Sequence, residues 1–265
     1  MIAIVITVVL VFFTLRYIIF WHGMDLANIY QDKPIFFGHR GDSNNFPENT
    51  IASYRSAIKN GLNAIELDVM LTKDNRLVCS HNFDLECETS GTGFIDKIDY
   101  QDLEKVKTGR QLHPLKQEAI PLLLDVSASL PNTVLLNIEI KTKSTFDLKA
   151  AIKVAKMIKN GDIPQKVIVS SFNPIAVRTI KLVSKSIPTG FIYRKEKNFR
   201  GVFIARPDCL HPKAEIITDK VIRFCKKRNM RINTWTVNNI HLRDWIIQKG
   251  IDGIITDHPE LSKNN

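Results

Sequence analysis

The residues able to do chemistry sit at the ends of apolar runs. Phe36 and Phe37 lead into His39, Arg40 and Gly41, and Pro47, Glu48, Asn49 and Thr50 follow closely. A second apolar run, Ala64–Met70, carries Glu66 and Asp68. Strand side chains alternate faces, so carboxylates at i and i+2 project on the same side. Carboxylates held this way repel and raise each other's pKa unless a cation sits between them. Leu77–His81 again ends in a histidine, and Val134–Lys141 ends in Glu139, Ile140 and Lys141. Two histidines and several carboxylates at strand ends point to a metal-assisted active site.

Glu66, Asp68 and Glu139 are hard oxygen donors with no cysteine and no histidine pair among them, a set that suits Mg²⁺ or Ca²⁺ better than zinc. Pairing with surface lysines is the plainer alternative. It fits poorly, because Ile65, Leu67 and Val69 make the other face of the same strand apolar. Lys141 shares a face with Glu139 and could neutralise a phosphate oxygen or form a salt bridge within the site. An unperturbed histidine titrates near neutrality, as general acid–base work requires, which makes His39 and His81 candidates for it. A lone strand-end histidine is more often structural, but two beside a ligand set favour catalysis. Arg40 offers a planar fork to a phosphate, or a salt bridge to Glu48 or Asp42. Trp235 ends a strand as a wall of the substrate cleft or as core packing.

These residues need a scaffold that gathers strand ends. The chain has 265 residues, 44% hydrophobic and 24% charged, enough for one large core. After a polar link, Asp25 to Lys33, strands and helices alternate. Strands are expected at Ile35–His39, Ala64–Met70 with Leu77–His81 as its continuation, Val134–Lys141, Lys166–Ser171, Thr189–Tyr193, Cys209–His211, Arg231–Val237 and Gly253–Thr256. Helices are expected at Asn49–Lys59, Leu122–Leu130, Asp147–Lys159, from Pro174, and at Thr218–Arg228 and Ile240–Gln248. Residues 82–119 lose periodicity and read as an insertion or small subdomain. Eight mostly apolar strands with polar residues at nearly every C-terminus predict an α/β fold, a closed (β/α)8 TIM barrel over 34–261. An open doubly wound sheet is the alternative, and would gather those residues at one switch point.

Residues 1–22 are apolar apart from Thr7, Thr14 and Arg16 over Ile2–Trp21, and about twenty such residues span a bilayer core of roughly 30 Å. This predicts an N-terminal transmembrane helix, with Arg16 snorkelling and Tyr17 and Trp21 as aromatic anchors. Without a basic leader or a small-residue cleavage site, a signal peptide fits less well. Arg16 and Lys33 lean the remaining domain toward the cytoplasm. Net charge is +10, which favours anionic partners. No nucleic-acid motif accompanies it, so nucleic acid is not an expected partner. Cys79, Cys87, Cys209 and Cys225 lack metal or redox spacing and read as buried thiols of a reducing compartment.

Taken in order, His39-Arg40-Gly41, Pro47-Glu48-Asn49-Thr50, Glu66-x-Asp68, Ser80-His81, Glu139-Ile140-Lys141, Trp235-Thr236-Val237-Asn238 and Asp252 through Pro259 resemble the glycerophosphodiester phosphodiesterase family across residues 34–261. The resemblance implies a TIM barrel and a glycerophosphodiester substrate. It also implies Glu66, Asp68 and Glu139 as ligands of one divalent cation, Mg²⁺ or Ca²⁺, with His39 and His81 as the acid–base pair. Arg40 and Lys141 would contact phosphate. The attacking group it implies is the substrate's own glycerol 2-hydroxyl, forming a cyclic phosphate that water opens. One departure stands out. Asn82 replaces the aspartate the family usually has after the second histidine, keeping an acceptor but losing a charge, while Thr89 and Gly91 keep the pattern that follows.

Two alternatives accompany the substrate expectation. An anchored barrel could take lysophospholipids from the bilayer, helped by basic loops at Lys105, Lys107, Arg110 and Lys116 and at Arg194, Lys195, Lys197 and Arg200. A non-catalytic phosphate-binding barrel is the other, and the retention of both histidines and all three carboxylates speaks against it.

Overall fold

In a closed parallel sheet every strand is covered on both faces, so alternate positions can be given separate jobs. The computed structural model describes residues 1–31 and 34–263. Its strands are β1 (Ile35–His39), β2 (Ala64–Leu71), β3 (Leu77–Cys79), β4 (Lys107–Thr108), β5 (Glu118–Ala119), β6 (Leu135–Ile140), β7 (Lys166–Ser171), β8 (Thr189–Tyr193), β9 (Cys209–Pro212), β10 (Arg231–Thr234) and β11 (Gly253–Thr256). β1, β2 and β6 to β11 run parallel, and pairing of β1 with β2, His39 opposite Glu66, closes them into the expected eight-stranded barrel.

Outward-facing Ile65, Leu67, Val69, Leu136, Ile138 and Ile140 pack on Tyr54, Ala57, Val154 and Ala155 of the surrounding helices. Inward-facing Phe37, Ala64, Leu135, Ile168, Cys209 and Ile255 fill the lower barrel. The next inward positions, at the C-terminal ends, are Glu66, Asp68 and Glu139. Apolar burial therefore fixes the strands, and the opposite face is left for chemistry. The helix expected from Asn49 begins at Ile51, because Thr50 caps it by accepting from the Ser53 amide at 3.2 Å.

Two expectations about the barrel need correction. Leu77–His81 does not continue β2; β3 returns antiparallel to it, Val69 opposite Cys79 and Leu71 opposite Leu77. β2 overshoots the rim and turns at Thr72–Arg76, and the return leg carries His81 back toward Asp68. The insertion is a small folded unit in which Met70, Val78, Leu85, Ile95, Leu103 and Ile120 form a core of their own. The stretch read as a polar link closes the barrel floor: Leu26 and Tyr30 are buried against Phe37, Leu135 and Ile255.

The predicted membrane span is not found, since among the described residues no helix is long and apolar enough to cross a membrane. The N-terminal helix Ile2–Ile19 has 18 residues with Arg16 in its last turn, a rise of roughly 27 Å at 1.5 Å per residue. Its apolar side chains at Ile4, Val8, Phe12 and Leu15 are exposed. Trp21, expected at a membrane interface, is buried instead, with the Arg228 guanidinium 5.8 Å from its ring. The Tyr17 side chain and Lys33 lie outside the described residues. Of the cysteines, Cys79, Cys209 and Cys225 are buried and Cys87 is exposed.

Asp208 joins the floor to the barrel. Its carboxylate accepts from the amides of Met24 (3.0 Å) and Thr189 (2.8 Å) and pairs with Lys181. Asp208→Ala strands a mostly buried lysine and two amides, so we expect a loss of roughly 3–5 kcal/mol in denaturant unfolding.

Candidate active site

The site is assembled from strand ends inward. Glu66 and Asp68 stand on β2, and Glu139 sits beside Asp68 on β6 in direct register. Ligand oxygens from the three lie within 4.8 Å of one another, and all three side chains are buried. Burial, then repulsion from Asp68 and Glu139, pushes the Glu66 pKa up; burial also raises Glu139, against the pull of Lys141. For Asp68 burial is outweighed by Lys141 and Arg40, and its pKa is lowered. A cluster of hard oxygen donors that cannot all ionise comfortably together fits a divalent cation, by the chemistry of the donor set.

Two cationic side chains brace the cluster. Arg40 Nε is 3.2 Å from Asp68 Oδ2 and Nη1 is 2.5 Å from Glu48 Oε2, while its backbone amide donates to Glu66 Oε2 at 3.0 Å. Lys141 Nζ is 2.9 Å from Glu139 and 3.4 Å from Asp68. The salt bridges weighed for both residues are therefore present. The partner of Arg40 is Glu48, since Asp42 instead accepts from Ser56 and Asn60. Both cations have raised pKa values, because the carboxylates outweigh burial.

His39 and His81 both line the cleft. His39 Nδ1 donates to Asp257 Oδ1 at 2.7 Å. Asp257 also accepts from Ser43 at 3.0 Å and Asn238 at 2.5 Å. Burial alone would raise its pKa, but these donors bring it down to about 2. His81 Nδ1 lies 2.9 Å from Asn82 Oδ1, so the amide keeps the orienting acceptor that the departure at this position left in question. Burial, only partly offset by Asp68, lowers the His81 pKa. With Nδ1 engaged in both rings, Nε2 is the nitrogen each can offer to the cleft.

Trp235 is half-buried and lines the cleft, edge-on to Phe172 at 5.6 Å between ring centroids. The cleft itself holds about 440 Å³. Of the expected site residues, His39, Arg40, Glu66, His81, Glu139, Lys141 and Trp235 line it, and Asp68 lies behind them, paired with Arg40 and Lys141. Sequence reasoning assigned no role to Asn49, Asp257 or Asn238. Asn49 adopts a left-handed backbone (φ 57°), donates to Asp68 Oδ2 at 2.9 Å and accepts from the Asp68 amide at 3.0 Å. Their signal was present, since all three lie inside the motifs quoted above.

Comparison with known proteins agrees with this geometry. The glycerophosphoryl diester phosphodiesterase family model matches residues 39–261. A glycerophosphodiester phosphodiesterase of Caldanaerobacter subterraneus subsp. tengcongensis is 34% identical over 236 residues, covering 88% of this chain and 97% of the relative. Among solved structures, an Oleispira antarctica phosphodiesterase in complex with the product sn-glycerol-3-phosphate superposes with a TM-score of 0.78 at 25% identity, covering 86% of this chain and 94% of that one. A Thermotoga maritima glycerophosphodiester phosphodiesterase gives 0.70 at 28% identity, over 86% and 96% of the two chains. With its barrel, its motifs and these relatives in agreement, the chain belongs to the glycerophosphoryl diester phosphodiesterase family and is a phosphoric diester hydrolase.

Proposed function

We propose that the protein hydrolyses glycerophosphodiesters to glycerol 3-phosphate and an alcohol by histidine acid–base catalysis. One observation carries the mechanism: two imidazoles with anchored Nδ1 atoms share a cleft with a buried carboxylate triad and two cations. The glycerol 3-phosphate bound by the Oleispira relative supports the product. Glu66, Asp68 and Glu139 would hold Mg²⁺ or Ca²⁺, which when bound supplies Lewis-acid stabilisation of phosphoryl charge. Arg40 and Lys141, already fixed by ion pairs, offset charge developing on the phosphoryl oxygens. One imidazole takes the proton of the attacking oxygen and the other returns one to the leaving alcohol. Asp257 and Asn82 hold the rings in the tautomer this needs. Trp235 walls the organic part of the substrate.

A second reading of the substrate rests on the N-terminal helix, whose exposed apolar side chains support attachment to a lipid surface. Lys195, Lys197 and Arg200 are exposed as well, and Arg194 lines the cleft. Lys116 plays a different part: it donates to the Asn45 carbonyl at 2.8 Å and tethers the insertion to the first loop. On this reading the enzyme takes lysophospholipids and acts as a lysophospholipase D from the cytoplasmic side.

Turnover of glycerophosphocholine and lysophosphatidylcholine, each with and without chelator, tests both readings. We expect release of glycerol 3-phosphate from the first, abolished by chelator and restored by Mg²⁺ or Ca²⁺; preference for the lysolipid would instead select the second substrate. His39→Ala and His81→Ala should each lower kcat by about 10²–10⁴, with unchanged circular dichroism. Asn82→Asp places a carboxylate on His81 and stabilises its imidazolium, so the pH–rate limb governed by His81 should move to higher pH. A superimposable profile would show that His81 does not titrate in the reaction.

A further inference from the structure

One buried polar side chain of the cleft has no part in this scheme. His211, on β9, is fully buried and lines the cleft. Its Nε2 lies 3.0 Å from Asn233 Nδ2, and the Asn233 amide meets the Tyr30 hydroxyl at 2.7 and 2.9 Å. An amide nitrogen only donates, so Nε2 accepts and the ring proton resides on Nδ1. That Nδ1 has no partner among the described residues. Native interiors seldom leave a buried N–H in this state.

The barrel makes room for the pair at some cost. A Cβ on Gly190 would lie 2.6 Å from His211 Nε2, and one on Gly253 would lie 2.1 Å from Asn233 Oδ1. Glycine weakens a strand interior, yet here β8 and β11, the strands flanking β9 and β10, keep it and a polar pair takes the space that apolar side chains could fill. Asn137, on an inward position of β6, also lines the cleft, and its Oδ1 lacks a partner among the described residues. The cleft therefore presents an acceptor and a donor without partners among the described residues, the complement of an alcohol group. Burial pushes the His211 pKa down to about 3, so it remains neutral and is not a third acid or base.

Resting on the phosphodiesterase reading, we propose that His211 is a specificity-determining residue whose Nδ1–H donates to a hydroxyl oxygen in the organic portion of the substrate. Asn233 and Tyr30 act through it as positioning residues, fixing its tautomer and ring plane.

His211→Phe keeps the ring and removes the donor. In the full chain we expect KM for glycerophosphocholine and Ki for glycerol 3-phosphate to rise about tenfold, with kcat and its pH profile retained and the melting temperature not lowered. Tyr30→Phe should raise KM less, in the same direction. Nitrogen-15 NMR of the wild-type protein needs no variant to fold: Nε2 should be unprotonated, and the Nδ1–H resonance should shift on titration with glycerol 3-phosphate. A folded His211→Phe with wild-type KM and Ki, or an unmoved Nδ1–H resonance, overturns the role. Failure of the wild type to hydrolyse the diester would count against the phosphodiesterase reading, while the titration would still decide for or against His211.

Discussion

Asp68 is the point on which the site depends. Its carboxylate is buried, yet Arg40, Lys141 and Asn49 all converge on it, and its pKa is lowered in spite of the burial. Each of these partners has a second attachment. Arg40 reaches Glu48 and, through its backbone, Glu66; Lys141 reaches Glu139; Asn49 takes a hydrogen bond from Tyr54 at 2.9 Å. The first loop, β2 and β6 are thereby cross-braced by one carboxylate. Three acids against two cations leave an excess of negative charge, which is the condition under which a divalent ion binds strongly and water does not suffice.

The two histidines are supported in a different way. Asp257 gives His39 a charged partner held in turn by Ser43 and Asn238, whereas the Nδ1 of His81 meets the neutral amide of Asn82. The two rings are thus held by unlike partners, one a charged carboxylate and the other a neutral amide. In this chain the asymmetry comes from a single side chain.

Much of this was legible in the sequence because period-two alternation is a strong signal. Glu66 and Asp68 against Ile65, Leu67 and Val69 fixed both the strand and its functional face, and Glu139 with Lys141 did the same on β6. What escaped was whatever depends on a change of chain direction. Periodicity cannot tell a continuing strand from a returning one, so the antiparallel sense of β3, which delivers His81, was lost. The floor segment escaped for another reason. Leu26, Ile29 and Tyr30 are spaced among polar residues, and a short irregular plug has no period at all. Asp257 and Asn49 belonged to recognised motifs, but partners far apart in sequence are invisible without the fold. The N-terminal helix shows the opposite failure: hydropathy alone suggested a span, while Trp21 turned back into the helical layer.

The floor plug bears on how such a chain can be rebuilt. Residues from Trp21 to Tyr30 work as the cork of the barrel. A truncation placed at the first strand would uncork the lower interior to water and cut the polar thread that runs from Tyr30 up to His211. Any fusion junction or family-wide chimera therefore belongs upstream of the tryptophan, even though the recognisable motifs begin only at His39.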